Sequence, residues 1–373
     1  MHIDTLKRRH IEIHNINDFL ANGYLLRHGT VQGIDFTKLT IDWSHMDIQG
    51  TVFLGCNIPA AEQAIITSKG GLIFPEISGL PYQKYRSSLY TWQELYEPTS
   101  PDSTTDFDIY QHFSNSKYDP SLVESLCQRL HDHAIDDALR DYLLPDSEGN
   151  YSKKCIGVMG GHSTPRTDKY YKKTALACQR LAREGYTIVS GGGPGTMEAT
   201  NLGAYFANYE EAALLDAIEM MSTAPKYTDS DFHKVSMAVI EKYPNGAENL
   251  AIPTWFYGHE PSNVFASHIA KYFSNSIRED TLLAICIEGI LFSPGSAGTT
   301  QEIFMDAAQN HYATFGYYSP MIFLGTKRYQ EDTNLFQTLR QLAAGTGYES
   351  LVHLTDEVDE VVRLFKELDP LPA

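Results

Sequence analysis

Apolar residues in the second half of the chain alternate between two periods. Cys155-Ile156-Gly157-Val158-Met159-Gly160 is a short apolar run closed by glycine, the pattern of a buried strand. Asp168 to Glu184 has helical spacing and stops at Gly185. Tyr186-Thr187-Ile188-Val189-Ser190 reads as the next strand and runs into Gly191-Gly192-Gly193-Pro194-Gly195. A helix is predicted from Thr196 to about Ala207, a strand over Asn249 to Thr254, and a long helix over Ser262 to Cys286. Gly289-Ile290-Leu291-Phe292-Ser293 is a further strand, closed by Pro294-Gly295-Ser296-Ala297-Gly298. A helix then starts near Thr299 and runs to about Ala313, Met321 to Gly325 is a strand, and two helical stretches fill the C-terminal part. Strands alternating with helices imply an α/β fold, a Rossmann-like parallel sheet with helices on both faces.

The first half follows a different pattern. Phe36, Ile41 and Met46 recur every five positions, with Trp43, Ile48 and Phe53 offset between them. That is a turn or two of a pentapeptide-like repeat, below the about three units a solenoid needs, so an irregular β segment is the expectation. Asp119 to Leu143 is helical in spacing, with Pro120 in its first turn. Leu144 to Asn150 is rich in turn formers. An additional N-terminal α+β domain over residues 1–150 and a Rossmann-like domain over 151–373 are therefore expected. Arg86 is expected at the surface.

Composition narrows the function. The chain has 373 residues, 42% of them hydrophobic, enough for a sizeable core. Lys and Arg number 29 against 47 Asp and Glu, a formal charge of −18, which argues against a nucleic-acid partner. The most apolar stretch, Thr281 to Phe292, contains Glu288 and is too short to cross a bilayer, so no membrane partner is expected. Five widely spaced cysteines with no CxxC pair suggest neither a zinc site nor a disulfide scaffold and suit the cytoplasm.

The candidate chemistry lies in three glycine-rich turns at the carboxyl ends of strands. They are Gly160-Gly161-His162-Ser163, Gly191-Gly192-Gly193-Pro194-Gly195-Thr196, and Pro294-Gly295-Ser296-Ala297-Gly298-Thr299-Thr300. Glycine allows close approach of backbone to a ligand, and a following helix offers free N–H groups that suit a phosphate. The three turns are expected to share one cleft. No P-loop motif and no G-x-G-x-x-G occurs, and no ribose-binding acid ends the second strand, so an NTPase or a dehydrogenase is disfavoured.

Gly191-Gly192-Gly193-Pro194-Gly195-Thr196-Met197-Glu198-Ala199 resembles the GGGxxGxMEA turn of the LONELY GUY family, nucleoside 5′-monophosphate phosphoribohydrolases. Pro294 to Glu302 resembles that family's PGGxGTxxE signature, with Ser296 in place of its second glycine. The resemblance spans about residues 154–328. Asn208 to Gly246 and the whole N-terminal half are additional to the compact members. The resemblance implies a dimeric Rossmann-like protein, a homodimer or higher homo-oligomer, that cleaves the N-glycosidic bond of an AMP-like nucleotide to free base and ribose 5-phosphate. No cofactor and no metal is expected. It makes Arg278 and Glu302 the catalytic pair, with Glu279 standing where the family has lysine, and it places the phosphate on the glycine turns. The competing reading is a non-catalytic sensor of a phosphorylated ligand.

Each of these residues also has a structural role open to it. Glu302 ends Thr299-Thr300-Gln301-Glu302, a capping-box pattern, and Arg278 can pair with Glu279 or Asp280 at the surface. Glu198 can hold ribose hydroxyls or complement a helix dipole. His162 and Ser163 can meet a ligand or cap a helix. Trp255-Phe256-Tyr257-Gly258-His259-Glu260-Pro261-Ser262-Asn263 can stack on a base and supply His259 and Glu260 to it, or pack over the sheet with Ser262 capping the long helix.

Overall fold

The computed structural model describes residues 11–22, 26–144, 151–258 and 260–373. The chain divides into two compact units, 1–88 with 120–150 and 89–119 with 151–373. Residues 89–119 thus pack with the second unit although they precede the junction expected near residue 150.

The first unit holds four short strands, β1 (Glu12–Ile13), β2 (Thr30–Gln32), β3 (Val52–Leu54) and β4 (Leu72–Phe74), paired in that order and all parallel. Helix α1 (Ile16–Asn22) links the first two strands and α2 (Ala60–Ser68) the last two. Between β2 and β3 the five-residue period corresponds to a loop with one 3-10 turn, Trp43–His45. Phe36, Trp43, Ile48 and Phe53 turn inward from it, with Trp43 and Phe53 edge-on at 5.7 Å. Arg86 is buried, correcting the surface expectation, and its Nε donates to Ser88 O at 2.9 Å.

The second unit opens with α3 (Trp92–Leu95), an antiparallel pair β5 (Pro98–Ser100) and β6 (Ser103–Thr104), and α4 (Thr105–Ser116). Helix α5 (Leu122–Leu143) belongs to the first unit. Ser121 caps α5 by accepting from Glu124 N at 3.1 Å, so Pro120 precedes the cap instead of entering the first turn.

A seven-stranded parallel sheet organises the second unit. Its strands are β7 (Cys155–Met159), β8 (Thr187–Ser190), β9 (Leu250–Ala251), β10 (His268–Ile269), β11 (Ile290–Phe292), β13 (Met321–Leu324) and β14 (Val352–Thr355). Strand β12 (Tyr317–Tyr318) pairs apart from the sheet with β15 (Leu371–Pro372). The order across the sheet is β10-β9-β8-β7-β11-β13-β14. Buried strands read as continuous apolar runs because both faces are covered. Helix α6 (Lys169–Arg183) is capped by Asp168, which accepts from Tyr170 N at 2.7 Å. Its Ala177, Cys178 and Leu181 join Ile156, Val158 and Leu291 of the sheet in one core. A second core gathers α7 (Thr196–Tyr205), α8 (Glu211–Met221) and α9 (Phe232–Lys242). The remaining helices are α10 (Asn275–Ile285), α11 (Ala297–Tyr312), α12 (Leu335–Ala343) and α13 (Val358–Glu367).

Two expectations are corrected here. The strand read over 249–254 is regular only at β9, with one further bridge from Thr254 to Tyr272. The long helix read over 262–286 is two things: an extended segment carrying β10, then α10 alone. Val264, Phe265, Ala266, Ile269, Ala270, Tyr272 and Phe273 are all buried. A run of side chains buried on every side has no periodicity that distinguishes helix from strand. Ser262 therefore caps no helix, and its Oγ accepts from Lys271 Nζ at 3.3 Å.

Candidate functional site

The three glycine turns follow β8, β7 and β11, three neighbours in the sheet. The middle turn stitches the outer two together. Gly161 N donates to Pro294 O at 3.1 Å, and Thr196 N donates to Gly161 O at 3.0 Å. Gly195 has φ +69°, and a Cβ there would stand 2.4 Å from Gly161 O, so neither conformation nor space admits a side chain. At Gly295 a Cβ would stand 2.0 Å from Thr299 Oγ1 and 3.0 Å from Gly161 N.

The second turn is held from below by a buried amide network that the sequence did not announce. Asn201 Oδ1 accepts from Ser190 Oγ at 2.6 Å and from Asn263 Nδ2 at 2.8 Å, while its Nδ2 donates to Asn249 Oδ1 at 2.8 Å. Asn263 N also donates to Gly192 O at 2.8 Å. Gly191, Gly192, Gly193 and Thr196 are buried in this turn. Asn263 thus has its polar groups engaged in holding the turn.

Gly160 follows β7 and abuts Thr196, whereas His162 and Ser163 are exposed. Helix α6 begins only at Lys169, behind its own cap Asp168, so neither His162 nor Ser163 caps it. In the third turn Ser296 and Gly298 are exposed, Thr299 is buried, and Thr300 Oγ1 donates to Ser296 O at 3.0 Å. The first turn of α11 offers N–H groups that lack intrahelical partners.

Glu302 does not form a capping box. Helix α11 begins at Ala297, so the third helical position is Thr299, and Glu302 lies a turn further in. Its carboxylate lies 3.8 Å from Arg278 Nη1, with the two side chains 18% and 10% exposed. Arg278 therefore pairs across two helices instead of standing at the surface. Its Nε is buried without a hydrogen-bond partner among the described residues. Burial pushes the Glu302 carboxyl up to about 7, against the opposing pull of Arg278 and with help from Glu279. Glu279 is buried and accepts from Gln301 Nε2 at 2.9 Å. One turn along α11, Asp306 is buried with Oδ2 unpartnered, and burial pushes its carboxyl up to about 8.

Glu198 is almost wholly buried in an ion pair. It receives Arg166 Nε at 2.8 Å, Arg166 Nη2 at 2.5 Å and Tyr171 OH at 2.8 Å. Both members of this ion pair are 1% exposed. Arg166 was missed by sequence reading, because nothing local marks an arginine as buried.

The aromatic segment packs over the sheet. Trp255 is buried and donates from Nε1 to Asp106 Oδ1 at 2.8 Å, which removes it from base stacking. Tyr257 is 59% exposed and accepts from Asn275 Nδ2 at 3.0 Å. The Glu260 carboxylate approaches the second turn, its Oε2 lying 3.2 Å from where a Cβ on Gly193 would be. His259 lies outside the described residues. Among the described residues no group of three His, Cys, Asp or Glu side chains is set to hold a metal ion, and no helix is long and apolar enough to cross a membrane.

Comparison with known proteins gives a limited match. The model of the SLOG cluster4 family matches residues 153–211, which hold the first two glycine turns. A structure of the Moco carrier protein from Chlamydomonas reinhardtii is 16% identical, with a TM-score of 0.36, over 58% of this chain and 99% of that one. A second structure, of the molybdenum cofactor carrier protein MCP from the same organism, is 17% identical, with a TM-score of 0.36, over 58% of this chain and 97% of that one. No curated protein matches.

Proposed function

We propose that the protein hydrolyses the N-glycosidic bond of a nucleoside 5′-monophosphate or related ribotide, as the LONELY GUY resemblance implies. The reading rests chiefly on one observation. Arg278 of α10 and Glu302 of α11, 24 residues apart in sequence, meet at 3.8 Å, and α11 begins in the third glycine turn. The glycine turns and the first turn of α11 hold the 5′-phosphate through backbone N–H groups. As the bond between C1′ and the base nitrogen breaks, its electron pair leaves with the base, which takes up a proton. Positive charge develops on the ribose, and the Glu302 carboxylate stabilises it and removes a proton from the water that attacks C1′. Arg278 holds the carboxylate in place and supplies positive charge to the phosphate.

The resemblance also supports a homodimer or larger homo-oligomer. Five unpaired, buried cysteines suit the cytoplasm.

The test is single-turnover release of free base from a panel of nucleoside monophosphates, with binding followed by calorimetry. Glu302→Gln keeps the size of the side chain and removes its charge. Base release should fall by about 10²-fold or more with binding little changed. Unchanged release in that variant overturns the assignment. Tight binding without turnover across the panel in the unmutated protein makes the protein a sensor.

A further inference from the structure

A cavity of about 600 Å³ opens beside the second glycine turn, and neither Arg278 nor Glu302 lines it. Of its lining residues only Pro194 and Glu198 belong to residues 153–211. The other walls come from 96–107, 227–236 and 261–264. The first two lie in the parts that sequence comparison marked as additional to a compact fold.

These walls are built, not incidental. Tyr96 OH donates to Ser262 O at 2.8 Å. Asp106 anchors the 96–107 segment through Lys271 Nζ at 2.7 Å and Trp255 Nε1 at 2.8 Å. The backbones of Tyr90 and Ile269 exchange hydrogen bonds of 2.8 and 2.9 Å.

The lining defines the ligand. Tyr96 and His233 stack on each other at 4.3 Å and 14°, Phe107 and Tyr227 supply further ring faces, and the Arg166 guanidinium covers one face of Phe232 at 3.5 Å. Such faces favour a planar ring. The ionisable lining is Asp102 at the exposed rim, His233, and Glu198, whose charge is paired by Arg166. Arg166, beneath Glu198, spends its guanidinium on Glu198, on Ala224 O and Phe232 O at 3.2 and 3.1 Å, and on Ser236 Oγ at 2.5 Å. His233 is held below its ordinary pKa, first by desolvation and then by Arg166. Among the described lining residues no unpaired Lys or Arg stands ready to receive a phosphate or carboxylate.

We infer that this cavity binds an uncharged planar aromatic ring of nucleobase size, either a free base or the base moiety of a nucleotide. Its volume falls in the usual range for small-molecule sites, about 300–1,000 Å³. The inference is independent of hydrolysis and stands or falls on binding alone.

The test uses the full chain with indole and adenine as probes and benzoate as the anionic control, followed by saturation-transfer NMR and calorimetry. Indole and adenine should bind and benzoate should bind at least about tenfold more weakly. Ser100→Trp and, separately, Asp102→Trp place a bulky ring at the exposed rim without touching the core. Each should weaken indole and adenine by about tenfold or more while leaving the circular dichroism spectrum unchanged. Competition separates the sources: AMP displaces indole if the base of a nucleotide reaches the cavity, and only adenine does so if the site takes free bases. Glu302→Gln should not alter indole binding, so loss of turnover and loss of this site are read separately. Absence of binding by both rings at millimolar concentration overturns the inference. So does equal binding of benzoate, or binding insensitive to both tryptophan plugs.

Discussion

Replacing Glu198 by glutamine separates a structural role for that carboxylate from a ligand-binding one. The structure gives Arg166 and Glu198 two direct hydrogen bonds and leaves both 1% exposed. Burial alone would lower the Arg166 pKa, and Glu198 more than offsets that, so the guanidinium stays charged in the folded state. Glutamine keeps the shape but leaves that charge uncompensated, and one terminal NH₂ then faces donor groups of Arg166 or Tyr171. Breaking one partner of a buried pair typically costs about 3–5 kcal/mol. A dipole-complementing carboxylate at the same helix start would be worth only about 0.3–1 kcal/mol. With an m-value of about 2 kcal/mol/M in urea, the larger figure is a midpoint shift of about 1.5–2.5 M. Replacing both residues by apolar ones, Arg166→Met with Glu198→Leu, should recover much of the loss, since no charge is then left buried. Urea unfolding followed by circular dichroism on the three proteins measures this. A Glu198→Gln midpoint within about 0.5 M of the unmutated protein, together with weakened nucleotide binding, would refute the structural role and restore the ribose-binding one.

Three further outcomes are expected. If ionised Glu302 is required, base release should rise with pH to a plateau above about 7, following its raised pKa. The same shift acts oppositely on stability. The folded pKa lies above the unfolded value, so this contribution is complete below about 4.5 and is lost as pH rises through about 7. Asp306 behaves alike between 3.8 and about 8, so Asp306→Asn should gain on the unmutated protein by up to about 1.4 kcal/mol per pH unit across that window in denaturant titrations. A difference independent of pH would contradict the buried, protonated carboxyl. Gly195→Ala should cost about 1–3 kcal/mol in urea unfolding and abolish nucleotide binding in calorimetry, because the added methyl meets Gly161 O and the residue is held at φ +69°.

Local pattern alone identified the centre of the parallel sheet and the turns beyond it. Strands β7, β8, β11 and β13 are apolar runs bounded by glycine, proline or serine, and that punctuation is written residue by residue. The glycine turns were equally visible, because tight backbone approach at a strand end restricts composition locally. Their meeting in one place follows from β8, β7 and β11 being neighbours, and strand order is a property of the fold. Tertiary packing decided the rest. It cut the expected 262–286 helix to α10, since segments buried on every side carry no period. It also turned Glu302 away from a capping role, by starting α11 at Ala297. Arg166 and Glu198 found each other across 32 positions, and desolvation, which depends on neighbours distant in sequence, fixed the states of Glu302 and Asp306. The cavity beside the second turn joins four separate stretches of chain, a convergence that only the folded backbone can produce.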